Sequence, residues 1–248
     1  MPNKLDYLTE AGLLAQEIHE GNQKLSVVGT NLLDIEKYIL KTITDAGMEP
    51  TFKGYHDYPA ASCLSVNNVI VHGIPYDYTL KEGDLLSIDF GVTNHKHIVD
   101  TARSYSIGEK PLNTRLINAA EESLREAIKV SFIGKKTGDI GNAVEQTVKK
   151  RGFYVVKELM GHGVGDTLQE PPQIPNHGKP NTGQVIEEGM VLAIEPIIST
   201  KNVRIRVQKD QWTIISEPHS LTTHTEDTIY ISKNGPVILT RDLKMGKI

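Results

Sequence analysis

The chain has 248 residues, a charged fraction of 23% and a formal net charge of -4. That length is enough to bury a substantial core, and the absence of any lysine- or arginine-rich block removes nucleic acid from the expected partners. Cys63 is the only cysteine, so an intrachain disulfide and a cysteine-based zinc site are excluded, and any metal must be held by His, Asp and Glu.

Leu5, Leu8, Ala11, Ala15, Ile18 and Leu25 recur near helical spacing and predict an amphipathic helix over the first 25 or so residues. The same segment carries acidic residues throughout and has no apolar run long enough for a signal peptide or a membrane span, so a soluble, cytoplasmic protein without membrane contact is expected. A second helix follows, with Thr30 as its N-cap and Gly47 as its stop. From Tyr55 to about Ile107, short apolar runs broken by Gly, Pro and Asn replace the helical period, and LSVNNVIVHG and DLLSIDFGV read as strands. Asn113 opens a long helix with Leu116, Ala120, Leu124, Ala127 and Ile128 on one face. Another helix runs from Thr137 to Lys150 and stops at Gly152. Strand-like runs return in GMVLAIEPIIST, WTIIS and TEDTIYIS.

Helix, helix, strands therefore occurs twice. Asp34-Ile35 precedes Gly47 by the interval at which Asp139-Ile140 precedes Gly152, which suggests an internal duplication. No flexible linker separates the halves, so residues 1–248 read as a single α+β domain with pseudo-twofold internal structure.

The chemistry is carried by acids placed in apolar strands. In IDFGVTNHKHIVD, a two-residue turn at Asn94-His95 puts Asp89 directly opposite Asp100, with Cβ atoms about 5 Å apart. Two such carboxylates repel and resist desolvation, and Ile88, Phe90, Ile98 and Val99 argue against a fully exposed hairpin. A divalent cation is the simplest compensator. Glu195 in VLAIEPII and Glu226 ahead of DTIYI share this oddity; either one alone reads as a buried partner of Arg103, Arg204 or Arg206. Together the four carboxylates bring a charge of about -4, which two divalent ions would balance. His162 in GHGVG, with flanking glycines that permit close approach, adds an imidazole. The set fits a dinuclear hydrolase in which ions about 3.5–4 Å apart share an activated water. His95 and His97 sit at the expected hairpin tip and read as solvent-exposed, while His19, His177, His219 and His224 have no supporting context. His72, at the end of the strand in VIVHGIP, is placed to reach into a pocket.

Taken together these segments resemble the type I methionine aminopeptidases, whose pita-bread fold is shared with prolidase and creatinase. FKGYHDYPAASCLSVNNVIVHGIP is similar to the stretch leading to that family's substrate-contacting histidine, and IDFGV with VDTARSYSIG to its two-aspartate metal segment. GHGVG is similar to its metal-histidine loop, and MVLAIEPI and TEDTIYIS to its two glutamate segments. The similarity covers nearly the whole chain, with all five ligand types in the family's order and spacing. The short interval between His162 and Glu195 leaves no room for the type II insertion, and no N-terminal zinc-binding region is expected, so the compact bacterial form is the nearer likeness.

The resemblance implies a curved antiparallel sheet covered by helices. It further implies two divalent ions, of Mn²⁺, Fe²⁺, Co²⁺ or Zn²⁺, held by Asp89, Asp100, His162, Glu195 and Glu226, with Asp100 and Glu226 bridging. Glu195 would also relay a proton to the leaving amine, and His72 would hydrogen-bond the scissile amide or the tetrahedral intermediate. Tyr55, Tyr58, Cys63, Phe52 and Trp212 fall in segments that, by resemblance, line an apolar side-chain pocket suited to a thioether. The implied activity is removal of the initiator methionine from peptides and nascent chains with a small second residue, by a monomer working near the ribosome. Two positions depart from the family: its second histidine is replaced by Gln169, and the histidine after its bridging glutamate by Asp227. Gln169 can donate and accept hydrogen bonds but cannot carry a proton, which bears on turnover and not on metal binding. The competing reading, from a different class, is a pita-bread protein without peptidase activity that serves as a binding module. A proline-specific peptidase is disfavoured, because those enzymes usually carry a large extra N-terminal domain.

Overall fold

Asn3 fixes the start of the first helix reciprocally: its side-chain oxygen accepts from the Leu5 and Asp6 N–H groups, and the Asp6 carboxylate accepts from the Asn3 N–H. The structure is a computed structural model describing residues 3–241. Helix α1 (Lys4–Leu25) turns Leu8, Ala11, Ala15 and Ile18 inward, as their spacing predicts. Helix α2 (Leu32–Asp45) is capped by Asn31 and not by Thr30, because the Asn31 side chain accepts from the Leu33 N–H at 2.9 Å. The Thr30 carbonyl is instead committed to the Leu80 N–H.

The strands β1 (Glu49–Pro50), β2 (Cys63–Val66), β3 (Val69–Val71), β4 (Leu85–Asn94) and β5 (His97–Ser106) follow. Helix α3 (Pro111–Lys129) begins at a proline, whose missing N–H has no intrahelical acceptor at that position in any case. Asn113, expected to open this helix, lies inside it and donates to the Gly83 and Asp84 carbonyls, which ties α3 to the turn before β4. Helix α4 (Thr137–Lys150) has the predicted bounds. The remaining strands are β6 (Tyr154–Val155), β7 (Met160–Gly163), β8 (Glu170–Pro175), β9 (Val191–Ile194), β10 (Ile197–Ser199), β11 (Arg204–Val207), β12 (Ile214–Glu217), β13 (Thr222–His224), β14 (Asp227–Ser232) and β15 (Gly235–Ile238).

Two layers repeat. In the first half, α1 and α2 cover a sheet in which β4 pairs with β1, β2 and β5; in the second, α3 and α4 cover the sheet β15-β14-β9-β7-β8. Each half has its own apolar core. One joins Leu8, Ile18, Ile35 and Ile39 to Ile88, Phe90 and Val92, and the other joins Leu116, Leu124, Ile140 and Val144 to Leu192, Ile194 and Ile229. Phe90 is fully buried in the first core, and its truncation to alanine would cost about 3–5 kcal/mol. Strand β4 looks uniformly buried, yet its sequence LSIDFGV alternates. Leu86, Ile88, Phe90 and Val92 face the helices, so Ser87 and Asp89 face the second half, while Gly91 on the same side lies under Thr51 and Phe52.

The β4–β5 hairpin corrects one expectation. Its two turn residues are His95 and Lys96, both with positive φ, and Asn94 pairs with His97 as a strand residue. The Asn94 amide donates instead to the Tyr7 carbonyl and to Glu10 Oε2, which hold it against α1. In the resulting register Asp89 pairs with Ala102 and Asp100 with Gly91, so the two aspartates lie diagonally on one face and not directly opposite. At the tip His95 is exposed, but His97 is half-buried, stacked on Tyr7 and 3.1 Å from Asp166.

Candidate active site

Four chain segments converge where the two halves face each other. Asp89 and Asp100 come from the β4–β5 hairpin. Glu226 enters from the residue before β14, and it exchanges both backbone hydrogen bonds with Ala102, which locks it beside the aspartates. Glu195 occupies the break between β9 and β10, where its carbonyl accepts from Asn176 at 2.8 Å. His162 is not on a loop. It lies in β7, a strand held between β8 and β9.

The glycines around His162 serve strand packing. A Cβ at Gly161 would collide with the Ala193 carbonyl on β9, and one at Gly163 with the Pro171 carbonyl on β8. The close approach they permit sets the ring: Nδ1 is 3.0 Å from the Gly163 carbonyl, a contact that places the proton on Nδ1 and leaves the Nε2 lone pair free. That nitrogen stands 3.9 Å from Asp100 Oδ2 and 3.6 Å from Glu195 Oε1.

The carboxylates have little to neutralise them. Burial, then the charges of Asp100 and Glu195, push Asp89 well above the usual range. Burial, then the neighbouring acids, do the same to Glu226. Asp100 is pushed up to about 7 by burial and then by Glu195, and Glu195 to about 7 by burial. Asp89 Oδ1, Asp100 Oδ1 and Glu226 Oε1 are buried without a hydrogen-bond partner among the described residues.

These groups form the polar end of a cavity of about 250 Å³. Its other walls include Phe52, Tyr55, Tyr58, Cys63, His72 and Trp212, so every side chain expected at a substrate pocket borders this space. Tyr58 is fixed by donating to the Ser62 carbonyl at 3.0 Å, and the Trp212 ring stands edge-on to it at 5.0 Å. The Cys63 thiol is pushed well up by burial and then by Asp89, which keeps it protonated. His72 follows β3 in the left-handed region, φ 57°, a conformation that costs free energy and turns the ring toward Trp212. Burial lowers its pKa to about 4, so the ring is neutral near pH 7. Gln169 is exposed at the rim, where the cavity meets a wider groove of about 860 Å³ that also borders His162, Gln173 and His177.

The profile of the metallopeptidase family M24 matches residues 6–233. The chain belongs to metallopeptidase family M24. A methionine aminopeptidase of Clostridium perfringens is 36% identical over 240 residues, 96% of each chain. Methionine aminopeptidase 1 of Bacillus subtilis is 36% identical over 241 residues, 97% of each. The crystal structure of a methionine aminopeptidase from Thermotoga maritima has a TM-score of 0.94 at 37% identity, with 98% of each chain covered. A prolidase from Pyrococcus furiosus, at 19% identity, shares the fold alone, with a TM-score of 0.76 over 98% of this chain and 65% of its own. The expected pita-bread fold is the observed one, and the chain is a family M24 hydrolase rather than an inert binding module.

Membership implies a divalent metal, and the donors fit one. Single ligand atoms of Asp100, His162 and Glu226 all lie within 4.8 Å of one another, and hard carboxylate oxygens with one imidazole suit a divalent ion. The orphaned, mutually repelling carboxylates lack only positive charge.

Sequence reasoning missed four residues that border the cavity: His56, Val71, Leu168 and His224. It gave Arg103 as a possible partner for Glu195 or Glu226, but Arg103 pairs with Asp227, and Arg206 pairs with Glu217 on the surface. Asp227 faces away from the cavity. It accepts from Arg103, Arg241 and Thr240, and Arg241 continues to Glu121 at 2.7 Å. The departure at 227 is therefore absorbed by an ion-pair network behind the site.

Proposed function

We propose that the chain removes the N-terminal methionine from peptides and nascent proteins whose second residue is small, using two divalent ions held by Asp89, Asp100, His162, Glu195 and Glu226. The observation that carries this reading is the joining of an orphaned carboxylate cluster to aromatic and apolar walls within one cavity. When bound, the ions would supply the Lewis acidity that makes water a nucleophile near neutral pH and an anchor for a free α-amine.

The chain's own residues do the rest. Phe52, Tyr55, Tyr58, Cys63 and Trp212 receive the methionine side chain, their largely apolar surfaces suiting a thioether. His72, neutral and held by a strained backbone, presents a ring nitrogen to the scissile amide. Glu195, whose carboxylate borders the cavity beside His162, takes a proton from the attacking water and gives it to the leaving amine. The rest of the substrate leaves past Gln169 along the wider groove. Asp100 and Glu226 are read as the bridging carboxylates, and the native ion as Mn²⁺, Fe²⁺, Co²⁺ or Zn²⁺. Among the described residues no helix is long and apolar enough to cross a membrane. We read residues 1–248 as one catalytic domain acting as a cytoplasmic monomer, in reach of chains leaving the ribosome.

The test is release of methionine from Met-Ala and Met-Gly peptides after chelation and after adding back Mn²⁺, Co²⁺ or Fe²⁺. Restored release is expected; no release with any ion would overturn the reading.

A further inference from the structure

His224 is a buried ring in the site to which the mechanism gives no part. It ends β13, two residues before Glu226, and it borders the cavity together with the proposed ligands. Its Nε2 stands 3.4 Å from Glu195 Oε2 and 3.7 Å from Glu226 Oε2, and its Nδ1 4.0 Å from Asp89 Oδ2. Nε2 is buried and has no hydrogen-bond partner among the described residues. The backbone holds the residue firmly: the His224 carbonyl accepts from Ser104 Oγ at 2.8 Å, and its N–H lies 3.3 Å from Ser87 Oγ and Ser104 Oγ.

The two oxygens of Glu195 are thereby divided between two imidazoles, Oε1 facing His162 at 3.6 Å and Oε2 facing His224 at 3.4 Å. Glu195 sits in a break between strands, so pairing does not fix its side chain.

We propose that His224 is a positioning residue for Glu195: its Nε2–H donates to Oε2 and sets the carboxylate plane so that Oε1 faces His162 and the ion site. At 3.4 Å the two atoms are within reach but not aligned as a hydrogen bond, so the bond forms when the Glu195 carboxylate turns toward Nε2 and closes by about 0.3–0.5 Å. A neutral ring can carry its proton on Nε2 and a charged ring always does, so the contact does not depend on the ring's charge. Groups that orient a ligating carboxylate in this way are part of a metal centre's design. The inference rests on the reading of Glu195 as ligand and proton carrier.

The experiment compares His224→Leu, which removes the donor, with His224→Gln, whose amide can still reach Oε2. Ion affinity is read by titration calorimetry with Mn²⁺ and Co²⁺, turnover with a Met-Gly peptide, and folding by thermal melts; His224→Asn, too short to reach, replaces the leucine variant if that variant does not fold. His224→Leu should weaken ion binding and lower kcat by roughly 10- to 100-fold, with KM nearly unchanged, and His224→Gln should recover most of both. Wild-type ion affinity and kcat in His224→Leu would overturn the proposal. So would a loss in His224→Gln as large as in His224→Leu, because the imidazole itself would then be the required group. If the wild type releases no methionine with any ion, the functional reading fails, while the calorimetric comparison still decides whether His224 orients Glu195.

Discussion

Glu226 and Asp227 are consecutive, both buried, and held in opposite ways. Glu226 points into the cavity, where among the described residues it faces other acids and the imidazoles of His224 and His162, and burial and those acids push it well above the usual carboxylate range. Asp227 points to the other side of the strand, where burial is outweighed by Arg103 and then Arg241, and its carboxylate is held below the usual range. One strand thus separates a charge cluster that the protein has closed from one that it has left open. The difference teaches that the cavity's acids are not a failed salt-bridge network: the chain builds arginine partners for a buried acid one residue away, and supplies none here among the described residues.

The largest expected effect is on the open cluster. Asp100→Ala should reduce methionine release by more than about 100-fold and abolish ion binding, as read by peptide assay and calorimetry. A variant that keeps two tightly bound ions would contradict the bridging role. The closed cluster should respond in stability. Asp227→Ala leaves Arg103 and Arg241 without their shared acid and should cost about 3–5 kcal/mol, a fall in Tm of roughly 10 °C in melts of the chelated protein. Glu226→Gln, one residue earlier, should leave the chelated protein's Tm unchanged or raised while removing the stabilisation that ions give.

The same contrast has a pH signature. Asp100 and Glu195, with folded values near 7 against ordinary values of 3.8 and 4.5, contribute stability at low pH that is lost as pH rises through about 7. His19, His72 and His224 are lowered by burial and act oppositely, but only up to their ordinary value of 6.5. Asp227, being depressed, changes only at acid pH. The chelated protein's Tm should therefore fall between about pH 6.5 and 8, and added ions should cancel the fall, because ligation favours the deprotonated carboxylates. A flat or rising Tm of the chelated protein over that range would show that the carboxylates are compensated within the protein. The smallest effect belongs to Gln169, which is part of neither cluster: Gln169→His should raise kcat a few-fold with metal content unchanged, and an unchanged or lower kcat would mark the glutamine as an adapted substitute.

Much of this was legible in local pattern. The helical faces, the strand at DLLSIDFGV and the four acids in apolar runs follow from periodicity and the cost of desolvation, and they were sufficient to assemble the ligand candidates. The hairpin register was not, because Asn94 is a good turn residue that the fold uses in a strand, its amide committed to α1. His162 looked like a loop residue because glycines read as turns, whereas here they let three strands pack closely. His224 was invisible for a different reason. Its neighbours Asp89, Glu195 and Glu226 are brought to it by long-range strand pairing, and nothing in SLTTHTED marks that side chain as facing them. The partners of Asp227 are likewise far apart in sequence, at Arg103 and Arg241.

The central claim is that the open cluster is completed by divalent ions. Calorimetric titration of the chelated protein with Mn²⁺ or Co²⁺ at neutral pH tests it most directly. Two ions per chain, bound with proton release and lost in Asp100→Ala, are predicted; no binding by the wild type, or binding unaffected by Asp100→Ala, would contradict the account.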